Sequence, residues 1–207
     1  AITSLFSNVY AGGFQLVMEQ NAVNLGDFGA GEAVLQDASS AYYNPAGLID
    51  VPSQQVILGG DEVFIDTKFS GSSTWTSPTN PLVPPGFAFT QTASDVQGGG
   101  ANFVPDFHYA LPLNCWSTLG FSVTAPFGLS TDYANSSILR YTATESYLQV
   151  VDLGPAIGFK LSPNWSVGVG LDADRLSATL DQDAGLPSTG EEATGSPTAF
   201  DSVSKND

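Results

Sequence analysis

The sequence predicts an all-β chain: a transmembrane antiparallel β-barrel, represented by about five strands, with a hatch of small residues ahead of them in the lumen. Three observations carry this. Apolar residues recur at alternate positions in several runs, small or polar residues fill the gaps, and the connections between runs alternate short with long. Period two is the signature of a strand, whose successive side chains point to opposite faces.

The weakest run, Gln54 to Ile65, comes first. From Phe103 to Leu113 the odd positions are Phe103, Pro105, Phe107, Tyr109, Leu111 and Leu113, against Asp106, His108 and Ala110. The third run sets Leu119, Phe121, Val123, Ala125, Phe127 and Leu129 against Thr118, Gly120, Ser122, Thr124 and Gly128. A fourth sets Val151, Leu153, Ile157, Phe159 and Leu161 against Asp152, Gly154, Gly158 and Lys160. The fifth places Trp165, Val167, Val169 and Leu171 opposite Ser166, Gly168, Gly170 and Asp172.

Leu113 to Thr118 and Leu161 to Trp165 read as tight turns, whereas Ile65 to Asn102 and Ser130 to Glu145 read as long polar links. Short turns on one rim and long loops on the other mark an outer-membrane barrel. Closure removes the strand edges that lipid cannot hydrogen-bond. A soluble β-sandwich also alternates, but its outer face would be charged, and here the polar face is mostly Gly, Ser and Thr.

Composition narrows the function classes. With 21 Asp plus Glu against 5 Lys plus Arg and a net charge of −16, the chain lacks the clustered cations that nucleic acid requires. The single cysteine, Cys115, sits in a turn and can form neither an internal disulfide nor a multi-cysteine metal site. One histidine, no Gly-x-Ser-x-Gly elbow, and a Gly98-Gly99-Gly100 run without a following Lys argue against catalysis, metal and cofactor alike. No apolar run is long enough for a spanning helix.

Residues 1–11 end in Asn8-Val9-Tyr10-Ala11, a cleavage-site pattern, and are expected to be the remnant of a signal peptide. Residues 12–50 form the expected hatch, rich in Gly and Ala, with short helices between Glu19 and Ala38 and turn chemistry at Asn44-Pro45-Ala46-Gly47. Strands are expected over 51–183. Residues 184–207, rich in Gly, Ser, Thr, Pro and acid, read as the start of a long extracellular loop, so that the chain is expected to be the first part of a longer barrel.

Gly13-Phe14-Gln15-Leu16, the Gly/Ala-rich stretch, Asp37-Ala38-Ser39 and Tyr43-Asn44-Pro45-Ala46-Gly47-Leu48, followed by alternating strands, resemble the FadL/TodX family of outer-membrane transport proteins. The resemblance runs from about Gly12 to about Asp183. It implies a monomeric barrel of about fourteen strands in the outer membrane of a Gram-negative bacterium. It also implies uptake of hydrophobic molecules, above all long-chain fatty acids. Asn44, Pro45, Ala46 and Gly47 then belong to the hatch, and Phe14 and Leu16 to the substrate pocket.

Pro126 interrupts a clean strand pattern and cannot donate a ladder hydrogen bond, and Gly128 weakens the same stretch, so a local bend is expected there. By resemblance, Pro126, Phe127 and Gly128 mark a kink in the third strand that opens the wall sideways into lipid. Gln182 falls where fatty acid transporters carry a carboxylate-contacting Arg, which raises an uncharged hydrocarbon as an alternative ligand. A surface adhesin or receptor, using Trp75, Phe87 and Phe89 of the long link, is the other alternative.

Overall fold

The computed structural model describes residues 15–76, 88–140, 142–184 and 202–203. Its strands are β1 (Gln55–Phe64), β2 (Lys68–Thr76), β3 (Ala88–Gln97), β4 (Ala101–Asn114), β5 (Ser117–Asp132), β6 (Glu145–Ser162), β7 (Trp165–Gly170) and β8 (Ala173–Asp181). Two short ones, β9 (Asp183–Ala184) and β10 (Ser202–Val203), pair with each other. The main sheet runs β1-β4-β5-β6-β7, every pair antiparallel, and β8 continues the β7 edge along β6. This is part of a barrel wall.

Three features depart from the sequence pattern for identifiable reasons. The link between Ile65 and Asn102 contains the hairpin β2–β3, hidden because Gly71, Ser73 and Gln91 dilute the one face that carries apolar residues, while Ser and Thr fill the other. β6 begins at Glu145, six positions before its alternation becomes visible, because Tyr147, Leu148 and Val150 put bulky apolar groups on both faces. The fifth wall strand is broken into β7 and β8 opposite Pro155, which has no N–H to return the bond that its carbonyl accepts from Leu171 at 3.0 Å.

The wall is inverted relative to a soluble sheet. Leu58, Phe103, Leu119, Leu153, Val167 and Val169 are exposed, while Asp106, His108, Ser122, Thr124 and Asp152 are buried. Such a distribution is stable only if the exposed face meets lipid and the other encloses polar or packed contents. Among the described residues no helix is long and apolar enough to cross a membrane.

Short helical turns pack on the buried face. Helix α1 (Ala22–Gly26) is capped by Asn21, whose side-chain oxygen accepts from the Val23 and Asn24 amides at 2.7 and 3.2 Å. Helix α2 (Ser40–Tyr43) leads through Asn44 into a 3₁₀ turn, Pro45–Asp50, with proline at its first position, where no N–H is needed. Ala38, Ala41, Leu48 and Val51 of this segment pack with Ala110 and Ala156 of the wall to form the apolar core.

Candidate functional site

A break in β5 creates the site. The β5–β6 register shifts between Thr124↔Asp152 and Phe127↔Val150, so Ala125 and Pro126 bulge away from β6. Pro126 sits where no donor is required of it. The β4–β5 ladder ends at Phe107↔Val123, yet β4 stays paired with β1 as far as Ala101↔Phe64. The two strands therefore diverge. Between them lies a cleft of about 80 Å³, lined by Leu16, Val63, Ile65, Phe103, Val104, Pro105, Ala125, Phe127, Leu129 and Leu148. Gly128, Asn102, Ser130, Tyr147 and Gln149 complete the lining, which among the described residues carries no charged group.

The N-terminal segment takes the place of β4 along the vacated edge of β5. Gln15 forms an antiparallel bridge with Phe127, and the Leu16 amide donates to the Pro126 carbonyl at 2.8 Å. Gln20, fully buried, brackets Ala125: its Oε1 accepts from the Ala125 amide at 2.7 Å and its Nε2 donates to the Ala125 carbonyl at 3.0 Å. The same Nε2 donates to the Leu16 carbonyl at 2.7 Å, and His108 Nε2 lies 2.7 Å from the Gln20 carbonyl, placing a ring N–H toward it. Tyr43 anchors the segment from the hatch, its hydroxyl donating to the Val17 carbonyl at 2.7 Å.

Leu16, Phe127 and Gly128 thus come together in one cleft, with Pro126 bonded to Leu16. A methyl placed on Gly128 would lie 3.3 Å from Leu16 Cδ1. Asn44, Pro45, Ala46 and Gly47 form a separate group against β6 and β7. The Asn44 carbonyl accepts from Gly47, and its side-chain amide donates to the Ala33 carbonyl at 3.1 Å. Pro45 and Ala46 press on Gly158 and Gly168, which face each other across the β6–β7 ladder; a Cβ on Gly158 would lie 2.6 Å from the Pro45 carbonyl oxygen. Gly120 of β5 leaves room in the same way for Leu48, 2.8 Å from where its Cβ would be. The glycine-rich polar face predicted from the sequence is therefore a seat for the hatch backbone.

Gln182 lies elsewhere, exposed beside Thr142, Ala143, Glu145 and Leu180. Phe14 lies outside the described residues, as do Phe87 and the side chains of Trp75 and Phe89. Burial, followed by the nearby Asp152 carboxylate, pushes the Tyr42 hydroxyl up to about 12, so that it remains a neutral donor on the hatch. The residue that sequence reasoning missed is Gln20: a glutamine in a Gly/Ala-rich stretch has no periodic signal, and its role follows only from the bulge it faces.

A family model described as "Outer membrane protein transport protein (OMPP1/FadL/TodX)" matches residues 2–207. The chain belongs to this family. Two similar FadL/TodX relatives are the "Long-chain fatty acid transport protein" of Escherichia coli O6:H1 and "Outer membrane protein P1" of Haemophilus influenzae. The first is 25% identical over 186 residues, covering 89% of this chain and 39% of the relative. The second is 26% identical over 185 residues, covering 85% and 39%. A crystal structure of a Pseudomonas aeruginosa FadL homologue superposes with a TM-score of 0.68 at 22% identity, over 83% of this chain and 40% of that one, and shares its fold. The chain thus spans about 39% of the length of the curated relatives it matches. FadL/TodX membership places it in the outer membrane of a Gram-negative bacterium.

Proposed function

We propose that this chain is the hatch and first wall segment of a monomeric channel that takes up hydrophobic molecules through the outer membrane. Long-chain fatty acids are the first substrate class, as the name of the E. coli relative suggests. Diffusion carries the substrate past the hatch, and it leaves sideways through the gap between β4 and β5 into lipid. The observation that carries this reading is the uncharged, apolar cleft opening between two wall strands at the Pro126 bulge. Release into lipid rather than water retains roughly 25 cal/mol for each Å² of apolar surface kept out of water.

An uncharged hydrocarbon is the second reading. It is favoured by the described cleft lining, none of whose residues is charged.

Uptake of radiolabelled oleate and hexadecane tests both, in cells carrying the intact polypeptide or its Pro126→Val/Gly128→Val variant. Slower uptake by an assembled variant supports lateral exit; unchanged uptake of both compounds overturns it. Oleate taken up in preference to hexadecane selects the fatty acid. Rapid liposome swelling with sugars would reveal an open porin instead.

A further inference from the structure

We propose that the outward face of β6 and β8 docks the phosphate of an outer-leaflet lipid, with Arg175 as the group that holds it. The hatch fixes which face is outward. Gly158 and Gly168 receive it on the inner side, so the odd-numbered residues of β6 and β7 point away from it. That alternation runs unbroken into β8, since Gly170 pairs with Ala156 and Ala173 with Leu153, and Arg175 stands on the outward side opposite Val151. The outward face changes character at this level. Toward the tight turns it is apolar, with Val167, Val169, Leu171 and Ala173 in line and Leu153 beside them. Toward the long loops, Ser177 and Thr179 face Gln149 and Tyr147 across the ladder. Trp165 marks the opposite end of the apolar stretch, ten residues from Arg175. At about 3.3 Å per residue and a strand tilt of about 40°, that run rises roughly 25 Å, the height of the apolar band of such a barrel.

Charge decides what meets Arg175 there. In a chain of net charge −16, it is the one basic residue among the described residues on the outward face of the wall. It is exposed and, among the described residues, makes no hydrogen bond or ion pair. Barrel closure extends the wall past the edge of β8 and leaves this face turned to lipid. A guanidinium at the outer boundary of the hydrocarbon lies among headgroups, and its planar fork matches the oxygens of a phosphate. The acyl chains of the same lipid lie along Leu171 and Leu153, while Ser177 and Thr179 offer hydroxyls to the rest of its headgroup. A single amphiphile thus satisfies both halves of the surface, whereas free phosphate would leave the apolar half uncovered. The proposal needs only that this face meets lipid, and it stands apart from the route of uptake.

The test measures lipid binding to the intact, detergent-solubilised polypeptide by native mass spectrometry, with diphosphoryl lipid A and its dephosphorylated form as probes. The diphosphoryl form should bind roughly tenfold more tightly, and Arg175→Gln should erase that preference, as expected for loss of hydrogen bonds to a charged group. Arg175→Lys, which keeps the charge without the fork, should retain part of it. Lys160→Gln, which removes a charge from the inward side of β6, should change nothing. Equal binding of the two lipids by the parent protein, or a preference that survives in Arg175→Gln, overturns the proposal. Displacement of bound diphosphoryl lipid A by millimolar inorganic phosphate overturns the choice of a lipid. Should Arg175→Gln fail to assemble, Ser177→Cys in a Cys115→Ser background decides the matter. Diphosphoryl lipid A should slow its labelling by a water-soluble maleimide more than the dephosphorylated form does, and equal protection by the two overturns the proposal.

Discussion

Gly168 lies directly against the peptide joining Pro45 to Ala46, so that even a Cβ at this position would overlap the Ala46 amide. Gly168 is therefore a point at which wall and hatch are in backbone contact. The wall strand has no room to yield, because Gly168 is also paired with Gly158, against which the Pro45 carbonyl is lodged.

Gly168→Val is expected to unseat the hatch while leaving the wall ladder intact. Overpacking of this kind costs about 1–3 kcal/mol. Lifting the Pro45–Asp50 turn relieves it more readily than bending β7. The variant should assemble normally, show raised ion conductance in planar bilayers, and become sensitive to protease within the hatch. Conductance at the parental level would show that the hatch accommodates the side chain.

A second expectation concerns the inverted polarity of the wall. Leu153 lies well within β6 and is exposed, whereas its neighbour Asp152 is buried on the opposite face. Leu153→Arg should lower the stability of the intact barrel in lipid vesicles by about 2–4 kcal/mol, the cost of a basic side chain near the bilayer midplane. Denaturant unfolding in vesicles measures it. A neutral outcome would mean that this face meets water.

Much of this was legible in the sequence because membrane barrels write their two faces in alternation. Pro126 and Gly128 together announced the β5 break, since proline in a strand is confined to edges and bulges. The seat of the hatch was visible as glycine and the hatch as the Gly/Ala-rich stretch ahead of the strands, although which of its residues met which glycines was not. Gln20 left no trace, because buried amides such as Gln20, Asn21 and Asn24 follow no period of their own. The β2–β3 hairpin was missed because Gly71, Ser73 and Gln91 dilute its apolar face. Gln182, assigned by counting from Trp165, lies beyond β8, beside Thr142 and Glu145 and not among the residues that line the cleft.

The cleft itself yields a third expectation. Gly128→Leu extends a side chain toward Leu16 Cδ1, which would lie only 3.3 Å from the new Cβ. The larger group should fill the space now available to a ligand. Binding of an apolar fluorophore such as Nile red to the purified, detergent-solubilised protein should weaken markedly, whereas Ser166→Thr, outside the cleft lining, should leave it unaltered. Equal binding by the two variants would place the apolar ligand elsewhere.

The root of the β2–β3 hairpin gives a pH dependence. Asp66, between β1 and β2, accepts from Gln97 Nε2 at 2.8 Å through Oδ1 and pairs with Lys68 Nζ at 3.2 Å through Oδ2. Those two partners, Gln97 first, hold its carboxyl below the usual carboxylate range. A depressed carboxylate stabilises the folded hairpin at pH values above its unfolded pKa of about 3.9 and loses that contribution as pH falls further through the folded value. Because the pair is exposed and screened by salt, the effect should be local. Amide exchange at Gly98, whose N–H donates to the Thr67 carbonyl at 2.9 Å, should therefore show extra opening under acid, after correction for the intrinsic exchange rate. Asp66→Asn, which keeps an acceptor for Gln97 and loses the charge, should abolish that acid-dependent opening. Persistence of the same acid response in Asp66→Asn would assign it to another carboxylate.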